Sequence, residues 1–583
     1  MRRHFSDTQR YLVIWGVTGV ACGLTAVAFH LAIDTVFHTV FGFAERLSPE
    51  GPTWRTALLL VLLPAFGGLV TGVLLARFAP DAAGSGIPQT KLRYHRDFGV
   101  FRLAEALWRF VLGTISVGFG MSLGREGPTV HICAALASKI GQWFGVAKKR
   151  VQAMVPLGMG AGIAAAFNTP MAAVFFVFEE LLGDFSSKSF FGLFMVVVIA
   201  AAVQRLVLGE HPAFEIVLGV IETDWWMLMC LPLGFLSALL GKAFVESLLR
   251  VRLWFRERQN LPLWLRPAIG GLSVGIIGAG VWALTGGSLG VFGIGYADVD
   301  AVLNGQSTLT WILALLLVGK FLASVVAYGS GGSGGLFAPT LFLGAMLGGI
   351  LGVLGQPFFG YNDEIIGAMA LLGMGTCFAA IIRAPMTSIV IIWEMTMQYG
   401  LILPLMAGNM VAWLLASRLR PVPIYDALLL QDKVSLRKMP NYQGDQDWRN
   451  LPVSAIMSFE VVTVKRDETI TGARARLEGE GRKHHAYPVV DDVGGLTGMV
   501  CHHELRENER DAGDQAVQTI LRDRAVISVR PDTSIRDVAQ ILVLEDVMQA
   551  PVVSATNPTK ILGFVTLHDV ARQQNAIEQK IGR

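Results

Sequence analysis

The chain has 583 residues, of which 53% are hydrophobic and only 16% are charged, and its mean hydropathy is +0.51. A soluble protein of this length needs far less apolar sequence, so the composition predicts a protein embedded in a lipid bilayer. The formal net charge is +3 and no long basic run is interleaved with aromatic residues, so no nucleic-acid partner is expected. The five cysteines lack C-x-x-C spacing, and we expect neither disulfides nor a metal site.

Apolar runs near the length needed to cross roughly 30 Å of hydrocarbon recur from the N-terminus to about Leu419. Examples are residues 11–33, 57–79, 225–248 and 311–328. Such runs predict about a dozen or more helices. Arg2 and Arg3 precede the first run, which lacks a small-residue cleavage site, so we expect a retained first helix. The expected location is the cell membrane, multi-pass, with both termini cytoplasmic.

The membrane part contains an internal repeat. Residues 157–180 align without gaps on residues 372–395, with nine identities in 24 positions. Two related halves are therefore expected, at about 1–215 and 216–430, with a boundary near 209–224. In proteins built this way, substrate sites form near the bilayer midplane where the halves meet.

Three breaks rich in glycine and proline interrupt the apolar sequence. They are Gly-Ser-Gly-Ile-Pro at 84–88, Gly-Arg-Glu-Gly-Pro at 124–128, and the glycine-rich run 329–339. Glycine allows tight turns that expose backbone N–H groups, and a following proline suits the first turn of a helix whose positive end faces the turn. A single break of this kind could equally be a loop or a kink in a helix, with no role in anion binding. Three of them, spread over both halves, predict an anion site.

After Arg420 the sequence becomes mixed and charged, which predicts a soluble domain of about 150 residues. Two copies of one pattern of β-branched strands and helices follow each other and resemble a tandem pair of CBS modules. Strands are expected at 461–465, 486–490, 498–500, 525–529, 550–554 and 563–567. The predicted divisions are a membrane domain at 1–430, a linker at 431–450, a first CBS copy at 451–510, a second at 511–575 and a tail at 576–583.

The three breaks in this order, followed by Tyr425, resemble the chloride channel and transporter (CLC) family. The resemblance covers nearly the whole chain, and its motifs are specific. It implies an all-α polytopic membrane domain of two inverted helical repeats, the CLC fold, plus an α/β C-terminal tandem CBS domain. It also implies an anion path within each subunit of a homodimer.

The same resemblance assigns chloride ligands residue by residue. It implies that the Ser85 hydroxyl, the backbone N–H groups of Leu336 and Phe337, and the Tyr425 phenol bind the ion. Serine at position 85 favours chloride, because proline there is the family's nitrate-preferring pattern. The alternatives are a helix cap for Ser85 and an interfacial anchor for Tyr425.

Two carboxylates carry the proton hypothesis. Glu126 lies in an apolar segment, where a carboxylate usually marks an ion or proton pathway, and it resembles the family's external gating glutamate. Its alternative is a salt bridge, for example with Arg125. Glu180 matches the internal proton-transfer glutamate of the family's exchangers, where channels commonly have an apolar residue; its alternative is a solvated helix end.

Other charged residues near these motifs receive narrower interpretations. Glu179 aligns with Glu394 in the repeat, so we interpret that pair as structural, binding backbone N–H groups. Lys91 stands where exchangers of this kind often have an acidic residue, and it can stabilise ionised Glu180 if the two are close. Arg109 and Arg125 are expected to give electrostatic support to the anion path, whereas Lys320 fits ordinary interfacial snorkelling at least as well.

The leading functional hypothesis is a chloride/proton antiporter regulated by its CBS pair. The alternative is a passive chloride channel gated by voltage, pH or a nucleotide. A membrane enzyme has little support, because no nucleophile, metal cluster or Walker-type loop stands out and no cofactor is required. Thr566 and Asp569 match positions that contact an adenine nucleotide in some CBS pairs; a purely structural or dimerising role stays open.

Overall fold

The computed structural model forms two compact units, Met1–Met439 and Pro440–Arg583. It describes residues 7–46, 53–146, 151–183, 190–209, 214, 224–258, 260–306, 309–359, 364–434, 451–479, 484–521 and 526–573. The expected boundary between the halves at 215 and 216, most of the expected linker and the expected tail lie outside these residues.

The named secondary-structure elements among the described residues of the first unit are all helices. Its helices are α1 (Asp7–Arg46), α2 (Trp54–Phe78), α3 (Ile87–Arg96), α4 (Leu103–Gly118), α5 (Glu126–Trp143), α6 (Met154–Phe167), α7 (Pro170–Phe176), α8 (Phe190–Leu208), α9 (Cys230–Glu257), α10 (Arg266–Thr285), α11 (Tyr296–Leu303), α12 (Thr310–Gly329), α13 (Phe337–Phe359), α14 (Glu364–Ile381), α15 (Pro385–Thr396), α16 (Ile402–Leu419) and α17 (Ile424–Gln431). Nine helical spans in the described part are long and apolar enough to cross a membrane. The polytopic helical domain expected from the sequence is confirmed.

The aligned segments of the repeat adopt the same local structure. In each, a helix is followed within two residues by a residue with left-handed backbone, Asn168 at φ 58° and Arg383 at φ 71°, and the next helix begins at an aligned proline, Pro170 or Pro385. Proline at a helix start loses no hydrogen bond, because that N–H has no partner inside the helix. The two halves are thus built from equivalent elements.

Glu179 and Glu394 join these elements across the repeat. The Glu394 carboxylate accepts hydrogen bonds from the N–H groups of Met171 and Ala172 at 2.9 and 2.8 Å, in the first turn of α7. Glu179 accepts from Met386 and Thr387 in the first turn of α15 at the same distances. The expected structural role of this pair is confirmed. Because the end of each element caps the start of the other, α7 and α15 run in opposite directions.

The repeat is not perfect where Glu180 lies. After α7 the chain continues as a π-helical segment, Val177–Leu182, which contains Glu180. The equivalent stretch of the second half stays α-helical to Thr396. A π-helical turn widens the helix locally and often occurs at functional sites.

The second unit has the expected α/β composition. Its strands are β1 (Val464–Lys465), β2 (Ala486–Val490), β3 (Leu496–Cys501), β4 (Gln549–Val553) and β5 (Ile561–Thr566), and its helices are α18 (Ile470–Gly479), α19 (His502–Ala512) and α20 (Ile535–Leu544). β1 pairs parallel to β2, and β2 pairs antiparallel to β3. In the second copy, β4 pairs antiparallel to β5, and Val529 forms a parallel bridge to Val552 where β1 would lie.

The start of each copy packs into the core of the other. Val453 and Met457, from the first copy, pack with Val538 and Leu542 in the core of the second. Val517, from the start of the second copy, is buried in the core of the first. The two copies therefore exchange their leading segments and form one folded unit.

Candidate anion and proton site

The three glycine-rich breaks meet at one place in the first unit. Gly124 and Gly335 exchange backbone hydrogen bonds at 2.8 and 2.6 Å. Gly84 donates to Gly332 at 3.0 Å and accepts from Gly334 at 3.3 Å. Helices α3, α5 and α13 begin within these breaks, at Ile87, Glu126 and Phe337, so their positive ends are gathered around the same point.

Close backbone approach explains why glycine occupies these positions. A Cβ atom added to Gly127 would lie 2.6 Å from the carbonyl oxygen of Ser85 and 3.1 Å from Cα of Gly335. Gly86 caps α3 with a left-handed backbone, φ 89°, which a residue with a side chain adopts only with strain. Any larger side chain at these positions would push the three helix starts apart.

The expected chloride ligands are fully buried. Ser85, Leu336, Phe337 and Tyr425 are each 0% exposed. Neither the Ser85 Oγ nor the Tyr425 hydroxyl has a hydrogen-bond partner among the residues that the structure describes. A buried hydroxyl without a partner is costly unless a ligand satisfies it. Ser85 is not a helix cap and Tyr425 is not an interfacial anchor, so both alternatives are wrong.

Glu126 is the first residue of α5 and is fully buried. Its Oε1 accepts a hydrogen bond from the Tyr296 hydroxyl at 3.2 Å, and its Oε2 has no hydrogen-bond partner in the described part of the chain. A Cβ on Gly124 would lie 2.2 Å from this Oε2 and 3.1 Å from the backbone nitrogen of Ala338. The carboxylate therefore lies beside the first turn of α13, where an anion would be stabilised.

Glu180 forms a buried ion cluster. Lys91 Nζ lies 2.5 Å from Glu180 Oε1 and 2.7 Å from Asp426 Oδ1, and the three side chains are 5%, 7% and 12% exposed. The expectation that Lys91 is close to Glu180 is confirmed, and a solvated helix end for Glu180 is wrong. Asp426 follows Tyr425 in α17, which packs against α3, so the cluster adjoins an expected chloride ligand.

The basic residues have different surroundings. Arg109 is buried and donates to the carbonyl groups of Gly84 and Asp81 at 3.0 and 2.9 Å, so it holds the loop that carries Ser85. Arg125 donates to the Ala166 carbonyl at 3.3 Å and contacts His30. Lys320 is 0% exposed, and the snorkelling interpretation of it is wrong.

A cavity of about 830 Å³ opens onto the Ser85 loop, with Gly84 and Pro88 in its wall. Six arginines and three acidic residues line it: Arg93, Arg102, Arg109, Arg252, Arg256, Arg266, Asp81, Glu105 and Asp432. Excess positive charge in such a cavity raises the local concentration of anions.

Comparisons with known proteins identify the family of the chain. The family described as voltage gated chloride channel matches residues 67–417, and the CBS domain matches residues 453–511 and 517–575. The chain belongs to the voltage gated chloride channel family. Together with its apolar helices, this membership indicates a multi-pass membrane protein with a C-terminal CBS pair.

Relatives within the family include named exchangers. The H(+)/Cl(-) exchange transporter ClcA of Salmonella typhimurium strain LT2 is 31% identical over 454 residues, which are 75% of this chain and 92% of that protein. ClcA of Yersinia pseudotuberculosis serotype IB is 32% identical over 427 residues, 72% of this chain and 87% of that protein.

Solved structures of the family have the same fold. A slow cyanobacterial Cl-/H+ antiporter matches with a TM-score of 0.65 at 29% identity, over 73% of this chain and 98% of that one. A eukaryotic CLC transporter matches at 20% identity with a TM-score of 0.61, over 96% of this chain and 98% of that one. The predicted fold class, including the CBS pair, is confirmed.

In the CBS pair, Thr566 and Asp569 form hydrogen bonds with each other. Asp569 Oδ2 accepts from the Thr566 N–H at 2.9 Å and from its hydroxyl at 2.7 Å, and Thr566 Oγ1 accepts from the Asp569 N–H at 3.1 Å. Cys501 and Glu504 form a similar cap at the start of α19, an equivalence that the sequence alone did not reveal. These contacts favour a structural role and leave nucleotide binding as a prediction.

Sequence reasoning missed three site residues of this chloride channel family member. Tyr296 reaches Glu126, Asp426 shares Lys91 with Glu180, and the Tyr328 hydroxyl accepts from the Ser85 N–H at 3.4 Å. Asp426 had a local signal, because it adjoins Tyr425. Tyr328 likewise adjoins the glycine-rich run 329–339, whereas Tyr296 lies far along the chain from Glu126 and no motif pointed to it.

Proposed function

We propose that this protein is a chloride/proton antiporter in which Glu126 serves as gate and exchange point. One observation carries the proposal: the Glu126 carboxylate is buried beside the helix start of α13, where a chloride ion would also be stabilised. Carboxylate and chloride then compete for one position. Protonation removes the attraction of the carboxylate for the helix ends and frees the position for chloride.

The surrounding groups suit chloride as the transported anion. Unpartnered hydroxyls of Ser85 and Tyr425 can donate to it, and the N–H groups of Leu336 and Phe337 lie at the start of α13. These are dipoles rather than full charges, which lets an ion bind and still leave. Arg109 acts indirectly, by holding the loop of Ser85.

Proton transfer on the inner side is proposed for Glu180. A proton cannot readily follow a path of dipoles that all favour negative charge, so a separate titratable group is needed. Glu180 is buried, lies in a π-helical turn absent from the other half, and shares one ammonium with Asp426. The relatives named as H(+)/Cl(-) exchange transporters give further support.

A passive chloride channel is the second candidate, and Lys91 is the observation that favours it. An ammonium 2.5 Å from Glu180 stabilises the ionised carboxylate, which would hinder proton loading. For either function we propose a homodimer in the cell membrane with both termini cytoplasmic. An adenine nucleotide is proposed as regulatory ligand of the CBS pair, with a structural role for the pair as the alternative.

The test is proton uptake by purified protein in liposomes that carry a chloride gradient. We expect the native chain to move protons uphill and Glu126→Ala to lose proton movement while chloride still flows, because the anion path stays open. Glu257→Ala removes an exposed carboxylate and should leave both fluxes unchanged. Proton uptake that survives Glu126→Ala excludes Glu126 from coupling, and a native chain that moves no protons establishes the channel.

A further inference from the structure

Tyr296 is the residue that holds the carboxylate of Glu126 from the side. Its hydroxyl donates to Glu126 Oε1 at 3.2 Å, and its ring packs edge-on against Phe214, with ring centroids 5.3 Å apart. An ionised carboxylate can only accept hydrogen bonds, so a phenol donor favours that form. The contact joins the start of α11 to the start of α5, two elements that are 170 residues apart in sequence.

Lys320 fixes the loop that presents Tyr296. Its fully buried ammonium donates to the carbonyl groups of Gly290, Gly293 and Ile294 at 2.8, 2.8 and 3.1 Å. Three carbonyls match the three donors of an ammonium, and this lowers the high cost of burying it. A buried cation on α12 therefore supports the turn that precedes α11.

Two further contacts restrict the same loop. Asp298 Oδ2 accepts from the Gly290 N–H at 2.6 Å. Gly295 has φ 82°, and a Cβ there would lie 2.3 Å from the Gly290 carbonyl oxygen. Tyr296 therefore begins α11 directly after a turn with little backbone freedom, which limits the positions open to its hydroxyl.

We propose that Tyr296 is the latch of the outer gate: its hydroxyl retains ionised Glu126 in the anion position, and Lys320 positions the latch. The inference rests on the proposed gating role of Glu126. Tyr296 acts through Glu126 and is a positioning residue with a direct contact to the gate. Loss of its hydroxyl should favour release of the carboxylate by about tenfold, the size expected for one hydrogen bond to a charged group.

The direction of the pH effect follows from the groups around Glu126. These are Arg125 beside it, with His30 of α1 against Arg125, Tyr296 of α11, Lys320 of α12 and Tyr425 of α17. Tyr296→Phe leaves the charge of all the others intact and removes one donor to the ionised form. Glu126 is then protonated at a lower proton concentration, so the gate opens at higher pH.

The experiment measures chloride efflux from liposomes against external pH with the full chain. We expect Tyr296→Phe to move the half-maximal pH upward by about one unit, which is tenfold in proton concentration. The phenylalanine ring keeps the packing on Phe214. Tyr399→Phe removes a hydroxyl from a side chain that is 77% exposed and should leave the curve unchanged.

A double variant separates the latch from a merely structural effect. In the Glu126→Ala background, Tyr296→Phe should cause no further change, because the carboxylate that it holds is gone. A Tyr296→Phe curve that superimposes on the native one, or an equal shift in both backgrounds, overturns the latch. If Glu126→Ala uncouples protons and Tyr296→Phe has no effect, only the latch fails; if Glu126→Ala still transports protons, the proposed gate fails and the latch with it.

Discussion

Lys91, Glu180 and Asp426 place one buried positive charge between two buried carboxylates. Burying an ion pair costs desolvation energy that only close partners offset, and here a single ammonium serves both acids. A proton on either carboxylate removes the excess negative charge. The cluster therefore carries one excess negative charge, which a single proton would neutralise.

Glu180→Gln tests whether the carboxyl group of Glu180 transfers protons. Glutamine keeps the size of glutamate but cannot ionise, so proton movement should fall sharply while chloride continues to pass. Proton and chloride fluxes in liposomes give the answer, and Glu257→Gln, at an exposed position, is the matched control. Normal proton transport by Glu180→Gln would transfer the role to another donor, with Asp426 on the same ammonium as the next candidate.

Short sequence motifs predict which residues lie at the candidate site, whereas contacts between residues far apart in sequence could not be predicted. Ser85 and Glu126 lie inside glycine-rich breaks whose chemistry can be inferred locally. For Lys320 the sequence leaves electrostatic support and interfacial snorkelling both open, and nothing local shows that three carbonyls from 290–294 surround its ammonium. Burial of a charge is decided by tertiary structure, so sequence patterns miss it.

At the scale of helices, glycine allows α13 and α14 to lie almost backbone to backbone. A Cβ on Gly373 would lie 2.1 Å from the carbonyl oxygen of Gly344, and a Cβ on Gly344 would lie 2.2 Å from that of Gly373. Gly158, aligned with Gly373 in the repeat, has the same relation to Cys133, at 2.3 Å. Small residues at helix contacts are the usual means of close packing in membranes.

Gly373→Ala should lower the thermal midpoint of the detergent-solubilised protein, with a loss of about 1 to 3 kcal/mol from overpacking against backbone that cannot move aside. Gly280→Ala is the matched control, since Gly280 also lies inside a helix but a Cβ there meets nothing within 4 Å. That variant should change stability by less than about 1 kcal/mol. Equal midpoints for the two variants would contradict the close-packing argument.

The repeat was visible in the sequence because its glycine, proline and glutamate positions align. The π-helical turn at Val177–Leu182 was not, because the two segments align without a gap and differ only in how the backbone winds. The exchange of leading segments between the CBS copies was also hidden. Patterns of strands and helices give the order of elements but not which core each segment enters.

For the whole molecule, the division into two units raises the question of what the CBS pair contributes. The cyanobacterial antiporter matches 73% of this chain and 98% of its own, a share close to that of the first unit alone. Almost the whole of that solved chain is thus covered by a share of this chain no larger than the first unit.

Removal of residues 440–583 should leave coupled exchange intact, because the expected ion and proton ligands all lie in the first unit. Proton and chloride fluxes of the truncated and full chains, with and without ATP, provide the measurement. If the pair binds a nucleotide, ATP alters flux in the full chain only; the absence of any ATP effect in either would favour the structural role. Loss of coupling on truncation would contradict the independence of the first unit.

The reciprocal contacts of Glu179 and Glu394 have a consequence for ancestry. The first N–H groups of α7 and of α15 have no partner within their own helix, and each set donates hydrogen bonds to a carboxylate of the other half. A half-length chain would need a second copy, related by a twofold axis, to cap this helix. In such a dimer the equivalent glutamate of each copy would accept the hydrogen bonds of the other. Such a contact is self-complementary, so duplication and fusion of a gene for a symmetric pair would have preserved it while Glu180 and Met395 diverged.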